Sequence, residues 1–232
     1  MKKFELTDEF ITDASGHKLF RIKALSSFGT VSAGDMGGYV EKEENLSNDG
    51  SSWVSGNAQV SGDAWVFGNA YVFGNAHVSG NAWVFGNARV YGDAQVSGDA
   101  RVYGDASFSG DAHVSGDARV FGNACAFGNA HVSGDASVYG DASFYGDAHV
   151  SGNADFAVVA GFGRYFRATT FFRCEDKILR VQCGCFYGDL AQFREIVKKT
   201  HGDSKYAKEY LAIADLMELH FSDEEENQES DE

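Results

Sequence analysis

A six-residue repeat runs without interruption through the middle of the sequence, and it limits the possible folds more than any other feature. From Val54 the chain reads VSGNAQ VSGDAW VFGNAY and continues to VSGNAD at Asp155, which is 102 residues or seventeen hexads. The consensus is V-[S/F/Y]-G-[N/D]-A-x, and only Phe108, Ala126 and Phe144 replace the valine. Short repeats of fixed period with a regular aliphatic position are typical of solenoids, in which each repeat packs on its neighbours.

The chemistry of the hexad matches a triangular coil built from three repeats. In such a coil the valine points from a flat side into the core, and the alanine fits the narrow corner beside it. Glycine followed by Asn or Asp forms the turn, because these residues tolerate unusual backbone angles and bind local amides. We therefore predict a mainly β protein whose centre, residues 54–155, is a three-sided, left-handed parallel β-helix of hexapeptide repeats with between five and six coils.

A second period, of 18 residues, separates the hexads into three sides. On the serine–histidine side the valine is flanked by Gln59, Ser61, His77, Ser79, Gln95, Ser97, His113, Ser115, His131, Ser133, His149 and Ser151. On the aromatic–arginine side it is flanked by Trp65, Phe67, Trp83, Phe85, Arg101, Tyr103, Arg119, Phe121, Ser137 and Tyr139. The mixed side carries Ser55, Phe73, Tyr91, Ser109, Phe127 and Tyr145 after the valine. This separation indicates three hexads per coil.

The flanks lack the hexad, and we predict that they cap the open ends of the solenoid. Residues 1–53 are predicted to form a small N-terminal β cap, with strand-like runs around Phe4–Leu6 and Lys18–Leu25 and a Gly-rich turn at Gly34–Gly38. Residues 156–221 are predicted to form a C-terminal α+β cap. Its expected elements are strands at Thr169–Arg173 and Ile178–Cys183 and helices at Asp189–Lys199 and Lys205–His220. The last segment, 222–232, is predicted to be a disordered acidic tail.

The acidic charge argues against several classes of partner. The formal net charge is −15; residues 222–232 hold seven acids and no base, and 54–155 hold ten acids and three arginines. Affinity for a free nucleic-acid backbone comes from Lys and Arg, so we expect no free duplex nucleic acid as partner. No apolar run approaches the roughly 20 residues of a membrane span, so no membrane partner is expected. The four unevenly spaced cysteines, without an apolar leader at the N-terminus, predict reduced thiols in a cytoplasm.

The aromatic–arginine side is the candidate partner-binding site. Its members are Trp65, Phe67, Trp83, Phe85, Arg101, Tyr103, Arg119 and Phe121, all predicted to point away from a core already filled by valine. Exposed apolar surface of this kind is typical of interfaces, and Trp, Tyr and Arg dominate binding energy there. Aromatic and arginine planes can also stack on unpaired bases. Equally open alternatives are that the flanks fold over this side or that it is a homo-oligomer seam.

Histidines and cysteines provide weaker candidates for chemistry. His77, His113, His131 and His149 are predicted to stack on one side, where they could bind a metal or supply a general base. No inserted loop shapes a cleft beside them, and we favour a solvated ladder. Cys174, Cys183 and Cys185 with His201 lack the usual zinc spacing and are predicted to be idle thiols. We therefore predict no catalytic residue, no metal and no cofactor.

The segments outside the repeat carry a resemblance to a known group of proteins. DMGGYVEKEENLS, the VYGDA/VFGNA hexads and TTFFRC…CGCFYGDLAQFRE…YLAIADLMELHF are similar to hexapeptide-repeat proteins of phages and prophages of Gram-positive bacteria. Size and acidic charge also resemble a phage-encoded type VI anti-CRISPR, an inhibitor of an RNA-guided RNase. This resemblance implies a monomeric, non-catalytic blocker in the cytoplasm of the infected host. It would occupy the guide-exposed face of a CRISPR effector that carries its guide RNA, so that target RNA cannot enter.

Two other functions remain open from the sequence. Hexapeptide repeats also occur in acyl- and acetyltransferases, which act as homotrimers, and a histidine of the 77–149 column would then be the base; this is analogy of fold and not of site. The third possibility is a structural homo-oligomer of a phage particle, which would use the aromatic–arginine side as its seam.

Overall fold

The computed structural model describes residues 2–222 and shows a parallel β-helix between two caps. The chain begins with β1 (Phe4–Thr12), β2 (Lys18–Ala24) and β3 (Met36–Val40). Seventeen two-residue strands follow, namely β4 (Trp53–Val54), β5 (Gln59–Val60), β6 (Trp65–Val66), β7 (Tyr71–Val72), β8 (His77–Val78), β9 (Trp83–Val84), β10 (Arg89–Val90), β11 (Gln95–Val96), β12 (Arg101–Val102), β13 (Ser107–Phe108), β14 (His113–Val114), β15 (Arg119–Val120), β16 (Cys125–Ala126), β17 (His131–Val132), β18 (Ser137–Val138), β19 (Ser143–Phe144) and β20 (His149–Val150). The C-terminal cap contains β21 (Phe156–Val159), β22 (Thr169–Arg173), β23 (Leu179–Cys183), β24 (Phe186–Asp189), α1 (Leu190–His201) and α2 (Lys205–His220). Short 3₁₀ turns lie at Glu43–Asn45 and Asn153–Asp155.

Every third short strand pairs in parallel, which confirms three hexads per coil. The serine–histidine sheet has the order β1-β2-β3-β5-β8-β11-β14-β17-β20, the mixed sheet β4-β7-β10-β13-β16-β19 and the aromatic–arginine sheet β6-β9-β12-β15-β18. Register is offset by 18 residues throughout, as in the pairing of Val96 with Val114. The predicted fold class is confirmed: a mainly β, parallel β-solenoid of about six turns, with a small antiparallel sheet and two helices at the C-terminal end.

From Val54 to Val150 the repeat valines and alanines form one continuous core and are at most 1% exposed. Ala154, in the last predicted hexad, is exposed because Asn153–Asp155 form a 3₁₀ turn instead of a further corner of the coil. The three replacements of valine lie on consecutive rungs of the mixed sheet, where Phe108 pairs with Ala126 and Ala126 with Phe144. The small Ala126 therefore lies between two large rings, so the exchange of large and small side chains keeps the core filled at near-constant volume.

Glycine is required at the turns because successive coils approach closely there. Gly104 has φ +74°, and a Cβ at this position would lie 2.9 Å from the backbone nitrogen of Gly122 and 3.0 Å from its oxygen. The next residue, Asp105, donates its backbone N–H to the Gly122 carbonyl at 2.8 Å. A side chain would therefore meet both backbone strain and the adjoining coil.

An irregular coil precedes the first hexad. Tyr39 pairs with Gln59, Leu46 forms a bridge with Val66, and β4 pairs with β7. The buried Val40 and Leu46 therefore take positions equivalent to the repeat valines. This coil does not follow from the hexad pattern, because the spacing changes from six residues to eight before Val54.

The predicted Gly-rich turn at Gly34–Gly38 is wrong in its second half. Met36–Val40 is strand β3, which joins the N-terminal hairpin to the solenoid. A Cβ on Gly37 would lie 2.4 Å from Ile22 Cγ1, and one on Gly38 would lie 2.6 Å from the carbonyl oxygen of Ala58. These glycines allow β3 to pack against its neighbours, and they do not turn the chain.

Buried polar side chains close the N-terminal end. Asn45 is fully buried and donates to the carbonyl oxygens of Ala64 at 2.8 Å and Gly62 at 3.1 Å. The Lys3 ammonium donates to the Ser52 carbonyl at 2.8 Å, and burial lowers the pKa of Lys3 to about 8. These contacts bind backbone groups that the end of a solenoid would otherwise leave unpaired.

The C-terminal cap covers the last coil and has a core of its own. Phe144 and Phe172 pack edge to face at 5.3 Å, and the Thr170 hydroxyl accepts the backbone N–H of Ser143 at 3.0 Å. A second core forms between the antiparallel sheet and the two helices. Asp189 caps α1 by accepting the Gln192 backbone N–H at 2.8 Å. The predicted acidic tail lies, apart from Ser222, outside the described residues.

Two identical hexads test the close approach of the coils. Gly104 and Gly140 both lie in the sequence YGDASF and have φ of +74° and +67°, but a Cβ on Gly140 would meet nothing within 4 Å. We expect Gly140→Ala to cost about 1 kcal/mol of unfolding free energy, and Gly104→Ala about 2–4 kcal/mol. Urea unfolding measures both. Equal losses would show that backbone strain, and not contact between coils, decides the requirement for glycine.

Candidate functional site

Half-buried aromatic rings form a ladder along one edge of the aromatic–arginine side. Phe67, Phe85, Tyr103 and Phe121 follow the valine on consecutive rungs, with ring centroids 4.7, 4.7 and 5.0 Å apart and planes within 6° of parallel. Tyr139, 57% exposed, continues the ladder at 5.9 Å from Phe121. The face of each inner ring is covered by the next ring, so these rings stabilise the coil stack and offer mainly their edges to a partner.

The residues before the valine form an outer column that is more accessible. Trp65 and Trp83 are 38% and 39% exposed, and Arg101 and Arg119 are exposed on the following rungs. Trp65 stacks on Phe67 at 4.1 Å. The Arg101 guanidinium lies 5.1 Å from the centre of the Trp83 ring, a cation–π contact that holds both side chains against the sheet.

All eight predicted residues therefore lie on one side, but they differ in how much of each side chain is exposed. All eight side chains point away from the core as expected, since none belongs to it or packs against it, but only Trp65, Trp83, Arg101 and Arg119 are exposed. The four ladder rings are only half exposed, because stacking on neighbouring rungs turns them along the corner of the coil. The accessible surface is thus an apolar half at the two tryptophans and a cationic half at the two arginines.

A shallow groove beside the outer column adds acidic and amide groups that the sequence analysis had assigned to turns. Its lining is Asn81, Trp83, Asp99, Arg101, Asp117 and Arg119. The Asn81 amide donates to Asp99 at 2.7 Å. Within residues 2–222 neither Arg101 nor Arg119 forms an ion pair with a carboxylate. The period of 18 residues could have revealed this groove, since each turn acid comes two residues before an outer-column residue.

The histidine column forms a stacked ladder on the serine–histidine side. His113 and His131 are 4.8 Å apart with planes 5° from parallel, and His131 and His149 are 6.2 Å apart. Desolvation first, and then the two neighbouring imidazoles, lower the pKa of His131. Across residues 2–222, no three His, Cys, Asp or Glu side chains are arranged to bind a metal ion.

Two of the three C-terminal cysteines lie together: Cys183 and Cys185, with His201, line a pocket in the C-terminal cap, while Cys174 lines a different one. Cys174 is buried, and burial raises the pKa of its thiol. Cys183 accepts a hydrogen bond from the Thr169 hydroxyl at 3.2 Å, while Cys185 is exposed at the tip of the hairpin between β23 and β24. The thiols are free in the structure.

The fold and its flat, repetitive surface define the class as a repeat β-solenoid protein. The model of the YdcK β-solenoid repeat family matches residues 94–110, so this part of the chain is similar to that family. No curated protein matches the sequence at a significant level. Within the described residues, no helix has the length and hydropathy needed to cross a bilayer.

Substitutions in the aromatic ladder and in the outer column should differ in how much they lower the free energy of unfolding. Phe85 is held between Phe67 and Tyr103, so we expect Phe85→Ala to cost about 2–3 kcal/mol of unfolding free energy. Trp83→Ala removes a ring that is 39% exposed and should cost about half as much. Urea unfolding of the two variants measures the difference. A larger loss at Trp83 would contradict the structural role of the ladder.

The histidine ladder predicts a dependence of stability on pH. Since the folded pKa of His131 lies below its unfolded value of about 6.5, the unfolded chain binds more protons, and stability falls as the pH drops through that value. His131→Gln, a residue already present at Gln95, should reduce the fall in melting temperature between about pH 7.5 and 5.5. His77→Gln is the matched control, since its neighbouring rungs carry glutamine. Equal effects of the two changes would exclude the neighbouring imidazoles as a cause.

Proposed function

We propose that this protein is a non-catalytic binding protein that acts by occupying the surface of a partner. The observation that carries the proposal is the outer column, in which two exposed tryptophans adjoin two arginines without ion pairs inside the described chain. Tryptophan and arginine are the residue types that most often dominate the energy of an interface. The side that presents them is a continuous sheet of five strands.

The rigidity of the outer column favours a binding function. The outer residues are anchored on both sides by backbone hydrogen bonds between coils, such as Arg101 N–H to the Ala118 carbonyl at 2.9 Å. The stacked ladder and the contact between Arg101 and Trp83 further restrict these side chains. Little conformational entropy is then lost on association, which raises the affinity obtained from a given contact area.

The finer proposal concerns the partner. We propose a phage-encoded inhibitor of a host defence ribonucleoprotein, with a type VI CRISPR RNase and its guide RNA as the target, in the cytoplasm of the infected host. The resemblance of the terminal segments supports a phage origin, and the resemblance in size and acidic charge supports this partner. The net charge of −15 is compatible with the basic surface of a protein that handles RNA. The solenoid would then block access of target RNA without any chemical step.

Capture of the effector by tagged protein tests the proposal. The intact chain should retain the purified RNase with its guide RNA and inhibit cleavage of target RNA at stoichiometric ratios. The triple change Trp83→Ala, Arg101→Ala and Arg119→Ala should weaken capture by about 100-fold or more, because it removes the central contacts. The control is His113→Ala with His131→Ala on another side, which should bind normally.

Light scattering of the purified chain separates the alternatives. A monomer that captures the effector through the outer column agrees with the proposal. Capture that survives the triple change would place the interface elsewhere. A stable trimer that captures nothing, and that transfers acyl groups in a manner sensitive to the histidine changes, would replace the binding function by transferase activity.

A further inference from the structure

A pocket in the C-terminal cap is separate from the aromatic–arginine side. It lies between the loop that joins β21 to β22, the hairpin of β23 and β24, and the two helices. Its volume is about 210 Å³, below the roughly 300–1,000 Å³ of pockets for drug-sized ligands. It therefore has room for one small ring system and not for a chain of several residues.

Five of the twelve side chains that line the pocket are aromatic. Phe186 and Phe193 lie 5.5 Å apart, and the Tyr210 ring meets Phe193 edge to face at 5.8 Å. His201 lies 5.7 Å from Tyr210, and Ile196 closes the helical side. Ring faces and edges on several sides suit a planar aromatic guest, which can pack in stacked and edge-on contacts at once.

The rim of the pocket is cationic. Arg164 and Arg167 line it, and both guanidiniums lie near the Tyr165 ring, at 5.5 and 5.1 Å. Within residues 2–222 neither arginine forms an ion pair, and no Asp or Glu is among the pocket-lining residues. Residues 156–221 hold ten Lys and Arg against eight Asp and Glu, in a chain whose net charge is −15.

The start of the loop that carries the arginines is held against α2. Gly163 donates its backbone N–H to Glu209 of α2 at 2.9 Å, and a Cβ on Gly163 would lie 2.0 Å from the Tyr210 hydroxyl oxygen. Phe166 has φ +54°, which is rare for an aromatic residue. Burial first, and then Cys183, to which the Tyr210 hydroxyl is hydrogen-bonded, raises the pKa of Tyr210 to about 12.

We propose that this pocket binds one small planar aromatic molecule that carries an anionic group, such as an aryl carboxylate or an aryl phosphate. The ring lies against Phe186, and the anion lies at Arg164 and Arg167. Aromatic walls alone would also accept an organic cation, but the two guanidiniums, which form no ion pair within residues 2–222, repel one. Guanidinium groups instead match the planar oxygens of carboxylate and phosphate in paired hydrogen bonds.

Titration of the full chain with 2-naphthoate tests the proposal by calorimetry, with the neutral 2-naphthalenemethanol as matched probe. We expect saturable binding of naphthoate at a ratio of one, and binding of the alcohol that is roughly tenfold weaker or worse. The double change Arg164→Gln and Arg167→Gln should abolish this preference while leaving the melting temperature unchanged. Failure to bind naphthoate, or equal binding of the two probes, overturns the proposal.

Two readouts locate the bound probe. Naphthoate should slow alkylation of Cys185, a residue of this pocket, and leave that of Cys125 on the mixed side unchanged. Trp83→Ala should not alter naphthoate binding, since Trp83 lies on the aromatic–arginine side and outside the C-terminal cap. If Trp83→Ala removes binding, or if Cys185 is not protected, the aryl anion binds the aromatic–arginine side and the pocket is not its site. Neither outcome bears on capture of the effector.

Discussion

Backbone hydrogen bonds between residues 17 to 19 positions apart in sequence fix every other feature of the solenoid. Typical examples are Arg101 N–H to the Ala118 carbonyl and Asp105 N–H to the Gly122 carbonyl, at 2.9 and 2.8 Å. This register requires the same narrow turn in every coil. Glycine makes that turn possible, because it has no Cβ to meet the glycine of the next coil. Since each side chain then lies directly over its counterpart in the next coil, the outer surface consists of columns of similar residues.

Such columns can stabilise or destabilise the stack, according to their chemistry. Aromatic rings gain from stacking, as in the ladder that includes Phe85 and Tyr103. Like charges at the same spacing repel, and the turn columns reduce this repulsion where asparagine alternates with aspartate, as in the bond from Asn87 to Asp105 at 2.9 Å. The outer column departs from a uniform ladder, because it changes from tryptophan to arginine at Arg101. That change exposes apolar and cationic groups side by side.

The repeat made most of the fold predictable, because one residue in six must fill the core and one period of 18 must align the sides. Composition could not reveal contacts that break the period. Val40 and Leu46 belong to a coil whose spacing is irregular, and Gly37 and Gly38 are strand residues because Ile22 and Ala58 leave no room for a Cβ.

The sequence predicts which residues belong to the candidate site, but not how exposed each side chain is. Residue types alone place Phe67 and Trp65 on the same side, yet only the geometry shows that the ladder covers the face of one ring and leaves the other ring accessible. The cap pocket was not predicted, although Cys183, Cys185 and His201, considered together as possible metal ligands, all line it. Its walls come from a loop, a hairpin and two helices that are distant in sequence, and no local motif connects Arg164 with Phe193.

The account depends on the outer column being free in solution to meet a partner, and quenching of tryptophan fluorescence by acrylamide tests this most directly. Trp53 is 2% exposed, whereas Trp65 and Trp83 are 38% and 39% exposed. The account predicts that two of the three tryptophans are quenched, to the same extent from nanomolar to high micromolar protein. Quenching that decreases as the protein concentration rises would show that a second copy covers this side, and would contradict its role as a surface for a different partner.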